Sequence, residues 1–216
     1  MKPLCRIETP FAEKFGVPRQ SLLVGEAWGK LAFPKDDFFC EAFRGIDGSS
    51  HLWLIFEFDQ VPAGPVNGLV RPPRFENKQK LGVFATRSPH RPNRLGLSLV
   101  RFDRLEVTDR EVILWVSGVD IVTGTPILDI KPYVPYADSV AARTPFTEAP
   151  ARYEVRWACE KVAAASLIEK VIGLDPRPNH ERGAADDEYG VSVAGFNVRF
   201  RFLVDHFEIV AVTRLP

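Results

Sequence analysis

The sequence predicts a mainly β protein: a closed antiparallel β-barrel followed by a small α+β C-terminal appendage. Three observations predict it. The first two-thirds of the chain are short β-branched and aromatic runs separated by turn residues. No helical pattern alternates with them, as it would in a doubly wound parallel sheet. Prolines crowd the connections, and each fixes its own φ and removes an N–H donor, so these segments read as shaped loops.

His51–Phe58 (HLWLIFEF), bounded by GSS before and DQVPAGP after, reads as a buried strand. Leu97–Phe102 (LSLVRF) and Glu111–Val119 (EVILWVSGV) repeat the pattern, and Thr108–Arg110 reads as the hairpin connection ahead of the latter. Pro145–Pro150 (PFTEAP) marks a boundary, giving a first domain over 1–145 and a second over 150–216. Beyond it, Arg152–Trp157 (RYEVRW) is followed by a predicted helix over Cys159–Ile172, drawn from Val162, Leu167 and Val171, which DPRP at Asp175–Pro178 ends. Two alternating runs, Ser192–Leu203 and His206–Val212, close the chain.

The chain's 216 residues, 45% hydrophobic and 26% charged, suffice for one domain plus an appendage. A formal net charge of zero disfavours a uniformly basic nucleic-acid binder but leaves room for a local basic patch. Cys5, Cys40 and Cys159 are few, odd in number and far apart, which points to a reducing compartment and away from disulfides or structural zinc. The opening MKPLCRIETPFAEKFG has no apolar signal-peptide core, and no run approaches the ~20 apolar residues of a membrane span. The expectation is a cytoplasmic protein with no membrane contact and no metal.

Three segments can carry chemistry. In Phe15–Gln20 (FGVPRQ), Gly16 and Pro18 shape a loop that presents Arg19 and Gln20; the alternative is a solvated surface turn. Leu81–Leu97 places Arg87, His90, Arg91, Asn93 and Arg94 in a proline-braced loop, suited to an anion or a nucleic-acid backbone or else simply solvated. Gly118–Asp138 offers Asp120, Asp129 and Asp138 as acceptors, Lys131 as a cation and a turn at Thr123–Pro126 whose Gly124 permits close ligand approach; the alternative is capped hairpin turns. Val70–Phe75 (VRPPRF) is a basic extended piece read as a linker. No dinucleotide fingerprint, P-loop, His-Glu-x-x-His or Gly-x-Ser-x-Gly motif is present.

Taken in order, FGVPRQ, SHLWLIFEFDQ, GVFATRSPHRPN and DIVTGTPILDIKPYVPYAD resemble the blocks of the TrmO (TsaA-like) family, and DPRP and FNVRFR resemble the C-terminal region of its bacterial members. The resemblance implies a β-barrel methyltransferase that binds S-adenosyl-L-methionine, forms a homodimer and methylates N6 of threonylcarbamoyladenosine beside the anticodon of tRNA. It places cofactor contacts on Pro18, Arg19, Gln20, Asp59, Gln60, Arg87, Leu97, Thr123, Gly124, Thr125 and Pro126. Asp59 stands where other members can carry His, and Thr123 where others can carry Asp.

The acceptor in such a reaction is a urea-type N–H whose lone pair is delocalised, so a carboxylate that removes its proton aids transfer. Asp120 and Asp129 are the candidates, each otherwise a turn cap or an ion-pair partner of Lys131. Lys131 or Arg94 would answer the threonyl carboxylate. Arg71, Arg74, Arg87, Arg91 and Arg94 are the expected RNA donors, with Tyr133 or Tyr136 for base stacking. The rival readings are a methyltransferase with another substrate, an S-adenosylmethionine-binding protein without turnover, and a metal-dependent partner protein.

Overall fold

The computed structural model describes residues 1–62, 64–71, 80–144, 146, 150–177 and 187–215. Six strands close the barrel: β1 (Cys5–Glu8), β2 (Trp28–Pro34), β3 (His51–Glu57), β6 (Leu95–Val107), β7 (Glu111–Ser117) and β8 (Pro126–Pro132), in the order β1-β2-β7-β6-β3-β8. Every barrel pairing is antiparallel, and β8 returns to β1 with Cys5 opposite Ile127. A short helix, α1 (Asp37–Ala42), is capped by the Asp36 carboxylate, which accepts from the Phe39 N–H at 2.8 Å. A ribbon of β4 (Leu69–Val70) and β5 (Leu81–Gly82) and a one-turn helix, α2 (Pro135–Asp138), decorate the barrel.

Strand alternation decides which side chains fill the interior. Leu52, Leu54 and Phe56 of β3 point inward and are buried, as are Leu31 and Phe33 of β2 and Leu114 and Val116 of β7. Gly96 faces Phe56 across the β3–β6 ladder, and a Cβ there would lie 2.3 Å from the Phe56 ring. Glycine at that position is what allows the ring to lie over the strand. The expected hairpin turn forms: the Thr108 N–H donates to the Glu111 carbonyl at 2.9 Å, and the Thr108 hydroxyl accepts from the Glu111 N–H at 2.9 Å.

The C-terminal part is a four-stranded sheet in the order β10-β11-β12-β9, comprising β9 (Glu154–Trp157), β10 (Glu188–Val193), β11 (Phe196–Leu203) and β12 (His206–Arg214), with the helix α3 (Ala165–Ile172). Two details depart from the sequence expectation. The helix begins at Ala165 rather than Cys159, because Val162 and Leu167 are five positions apart and only Leu167, Ile168, Val171 and Ile172 form a continuous buried stripe. The run Ser192–Leu203 is broken into two strands by Ala194 and Gly195, both at positive φ, a hairpin that an alanine does not announce.

A buried ion pair anchors this unit. Arg177, 2% exposed, donates from Nε to Asp175 Oδ1 at 2.9 Å, and its guanidinium lies 4.3 Å from the Phe202 ring centroid and 5.1 Å from that of Phe207. One hydrophobic core runs from the barrel interior through Phe11 and Val24 to Val171, Val191, Val198 and Phe207.

Among the described residues, no helix is long and apolar enough to cross a membrane, and no three His, Cys, Asp or Glu side chains gather as metal ligands. Burial pushes the Cys5 thiol up to about 12, while Cys40 is exposed. At pH 8 an alkylating reagent should therefore label Cys40 first and Cys5 only on unfolding, as peptide mass spectrometry would read out.

Candidate functional site

The site grows from the β7–β8 connection. β7 ends at Ser117, and Gly118 at φ +80 turns the chain so that its carbonyl accepts from the Leu22 N–H at 2.8 Å. The connection is then stitched to the N-terminal strand and the segment after it. The Thr9 hydroxyl donates to the Ile121 carbonyl at 2.8 Å, the Thr123 N–H to Phe11 at 2.8 Å and the Gly124 N–H to Ile7 at 2.7 Å. The Thr123 hydroxyl accepts from the Thr9 N–H at 3.2 Å, so this side chain is fixed by the backbone.

Long-range polar contacts bring the other segments to it. Arg6 donates to Asp59 Oδ2 at 2.9 Å and also to the Gly124 carbonyl, joining the end of the β3 segment to the Thr123–Pro126 turn. Arg87 Nη1 donates to Gln20 Oε1 at 2.6 Å, linking the basic loop to the FGVPRQ loop. Lys14 Nζ donates to the Gln60 carbonyl at 3.3 Å. The result is a cavity of about 250 Å³ walled by Phe56, Phe58, Val61 and Ile121, with Lys14, Asp59, Gln60, His90, Asp120 and Thr125 also on its lining.

Asp120 is the chemically distinctive group in that lining. It accepts from the Ser98 hydroxyl at 2.5 Å, and Ser98 is buried inside the barrel on β6. Burial pushes the Asp120 carboxyl up to about 6, and this outweighs the lowering by Ser98, by nearby backbone N–H groups including that of Ser21, and by the positive charge of Arg87. A carboxyl poised there is mostly ionised at neutral pH yet retains appreciable basicity.

The other expected residues are distributed as follows. Pro18 and Arg19 line a second cavity, of about 220 Å³, on the side of their loop that faces α3 and Leu174–Pro176. Leu97 projects from the outer barrel face, 54% exposed and opposite Ile55. Pro126 is buried at the start of β8. Asp129 and Lys131 pair with each other at 2.9 Å on β8, outside the lining that holds Asp120.

Arg91 and Arg94 act as internal braces. Arg91 Nη1 donates to the carbonyls of Thr86 and Ser88, each at 3.2 Å. Arg94, at φ +49, pairs with Glu57 at 2.9 Å and donates to the Val61 carbonyl at 3.2 Å. Arg71 is exposed beside the β4–β5 ribbon, and Arg74 lies outside the described residues. Tyr133 packs on Trp53, and Tyr136 is 91% exposed. Both follow β8, a strand about 20 Å long, and so stand at its far end from the Thr123–Pro126 turn. Arg6, Lys14 and Ser98 are the site-building residues absent from the sequence expectation; only their partners across the fold reveal them.

Comparison with known proteins matches residues 6–139 to the tRNA-methyltransferase O N-terminal domain and residues 146–215 to the TrmO C-terminal domain. The chain is 39% identical over 216 residues to a putative S-adenosylmethionine-dependent methyltransferase RcsF of Pseudomonas aeruginosa, covering 94% of this chain and 92% of that protein. It is 38% identical over 221 residues to the tRNA (adenine(37)-N6)-methyltransferase of Escherichia coli K12, covering 95% and 94%. The crystal structure of TrmO from Pseudomonas aeruginosa superposes with a TM-score of 0.79 at 36% identity, covering 98% of this chain and 96% of that one.

Proposed function

The chain belongs to the tRNA-methyltransferase O (TrmO) family, and from that membership we propose that it transfers a methyl group from S-adenosylmethionine to N6 of threonylcarbamoyladenosine at position 37 of tRNA. The observation that carries the reading is the convergence of the four segments on one cavity whose lining includes a buried carboxylate, Asp120. The cavity's composition suits the cofactor: aromatic and aliphatic walls from Phe56, Phe58, Val61 and Ile121 accommodate a flat base, and the carboxylates Asp59 and Asp120 complement a positive charge.

Bound S-adenosylmethionine supplies an electrophilic methyl group on a sulfonium. Asp59, Gln60 and the Thr123–Pro126 turn are the residues that would hold it, with Arg6 fixing Asp59 against the turn. Asp120 removes the N6 proton, oriented by the Ser98 hydroxyl. The phenylalanine walls exclude water and so strengthen each charge interaction. Lys14 is the lysine on the lining and would answer the threonyl carboxylate, a role that Lys131 and Arg94 are less suited to fill because each has its own carboxylate partner.

Arg71 and Arg87 are exposed and stand nearest to the role of RNA donors; Arg91 and Arg94 shape the loop that approaches the RNA. We further read the protein as cytoplasmic, metal-independent and homodimeric, with domains over 1–145 and 150–216. Exposed Leu95 and Leu97 on the outer face of β6 support a subunit contact, and light scattering should return twice the 24.3 kDa chain mass. The function is tested by the mass of position-37 nucleosides in tRNA from cells with and without the protein. The expected loss is one methyl group on threonylcarbamoyladenosine; an unchanged nucleoside spectrum would refute the assignment.

A further inference from the structure

We propose that the C-terminal sheet is the positioning wall of the loop over residues 13–26, and that it sets the affinity for S-adenosylmethionine by fixing Lys14 and Val17, which line the cofactor cavity. The inference rests on reading that loop as part of the cofactor site.

The loop is held from two sides. On the barrel side Thr123 bonds to Phe11 and Leu22 bonds to Gly118. On the other side, contacts come from the C-terminal unit. Phe11, fully buried, forms an antiparallel bridge with Val193, and the Ala194 N–H donates to the Pro10 carbonyl at 2.7 Å. Glu13 Oε1 accepts from the Ser192 N–H at 3.2 Å. Arg152 Nη2 donates to the Leu23 carbonyl at 2.6 Å, and Lys170 pairs with Glu26 at 2.6 Å.

The tightest contact is at Gly16. Its φ is +89, and a Cβ there would lie 2.2 Å from Val191 Cγ2 and 3.8 Å from Val171 Cγ1. The absence of a side chain therefore does two things: it permits the left-handed turn that leads into Val17-Pro18, and it lets the loop backbone rest on the β10 side chain. Between these clamps a hollow of about 220 Å³ separates residues 14–19 from Leu174–Pro176, so the loop is positioned at a few points rather than by continuous packing. A loop held in its binding conformation before the ligand arrives loses less freedom on binding, and that difference appears in the dissociation constant.

The test titrates S-adenosylhomocysteine into full-length protein by calorimetry and measures cofactor KM and kcat separately. Gly16→Ala drives a methyl group into Val191 and should weaken binding about tenfold. Gly16→Ala/Val191→Ala removes the clash, since Val191 Cβ lies at 3.7 Å, but keeps a side chain at φ +89, and should recover part of the loss. Glu13→Ala and Arg152→Ala delete exposed clamps without disturbing the core, and they carry the test should Gly16→Ala not fold. Each should raise the cofactor KM about three- to tenfold while kcat at saturating cofactor stays within about twofold. The KM-against-kcat split is an effect that a purely structural role would not produce. Wild-type protein that takes up no ligand sinks the site reading and this inference with it. Wild-type binding together with unchanged Kd in all folded variants overturns the inference alone.

Discussion

Asp120→Asn is expected to lower turnover by about 10²–10⁴-fold while leaving S-adenosylhomocysteine affinity within a few-fold of wild type. Asparagine keeps the shape of the side chain and can still accept from Ser98, but it cannot take a proton. In the wild-type protein, turnover should rise with pH through about 6, as Asp120 ionises, and then level off. The variant should lack that ascending limb.

The same substitution has a stability signature of opposite sign. The folded-state pKa of about 6 lies above the ordinary value of 3.8, so between these pH values the native protein retains a proton that the unfolded chain has released. The stability linked to this group is fully present below 3.8 and is lost as pH rises through 6. Above that, the ionised buried carboxylate costs roughly 3 kcal/mol as an upper figure. Asp120→Asn should therefore melt higher than wild type at pH 7.5, with the advantage shrinking toward pH 4. An inactive variant that is also more stable is hard to attribute to misfolding. Full turnover in the variant would remove Asp120 from the mechanism.

The second large effect is on folding. Arg177→Ala should destabilise the protein by about 2–4 kcal/mol, since it removes a buried charge-assisted hydrogen bond to Asp175 and empties the space between Phe202 and Phe207. On a domain of this size that corresponds to a drop in melting temperature on the order of 10 °C, measurable by circular dichroism. A melting temperature within about 1 °C of wild type would show that the pair contributes nothing net.

The barrel was legible because the β-branched and aromatic runs of β3 and β7 and the Thr108–Arg110 turn are local signals, each complete within a few residues. The hairpin at Ala194–Gly195 was not, because alanine at positive φ carries no compositional mark; the Ala194 N–H instead finds its acceptor at Pro10, far away in sequence. The same distance problem governs the site. The basic loop was readable as a cluster of cations, but whether a given arginine meets RNA or the protein itself depends on acceptors that the loop cannot display: Glu57 and Val61 for Arg94, Thr86 and Ser88 for Arg91. Asp129 and Lys131 are two apart on a strand and so share a face, which makes their ion pair a contact that spacing alone offered, though it lies outside the cavity lining. Ser98 could not be found that way, because an inward-facing serine in a barrel strand signals nothing until Asp120 is seen opposite it.

The pocket itself is tested most directly by a crystal structure of the protein grown with S-adenosylhomocysteine. The cavity bounded by Asp59, Gln60, Asp120 and Thr125 should hold the ligand, with its sulfur facing the space beside Asp120. Ligand density elsewhere on the molecule, with that cavity filled only by solvent, would contradict the assignment of both cofactor and base.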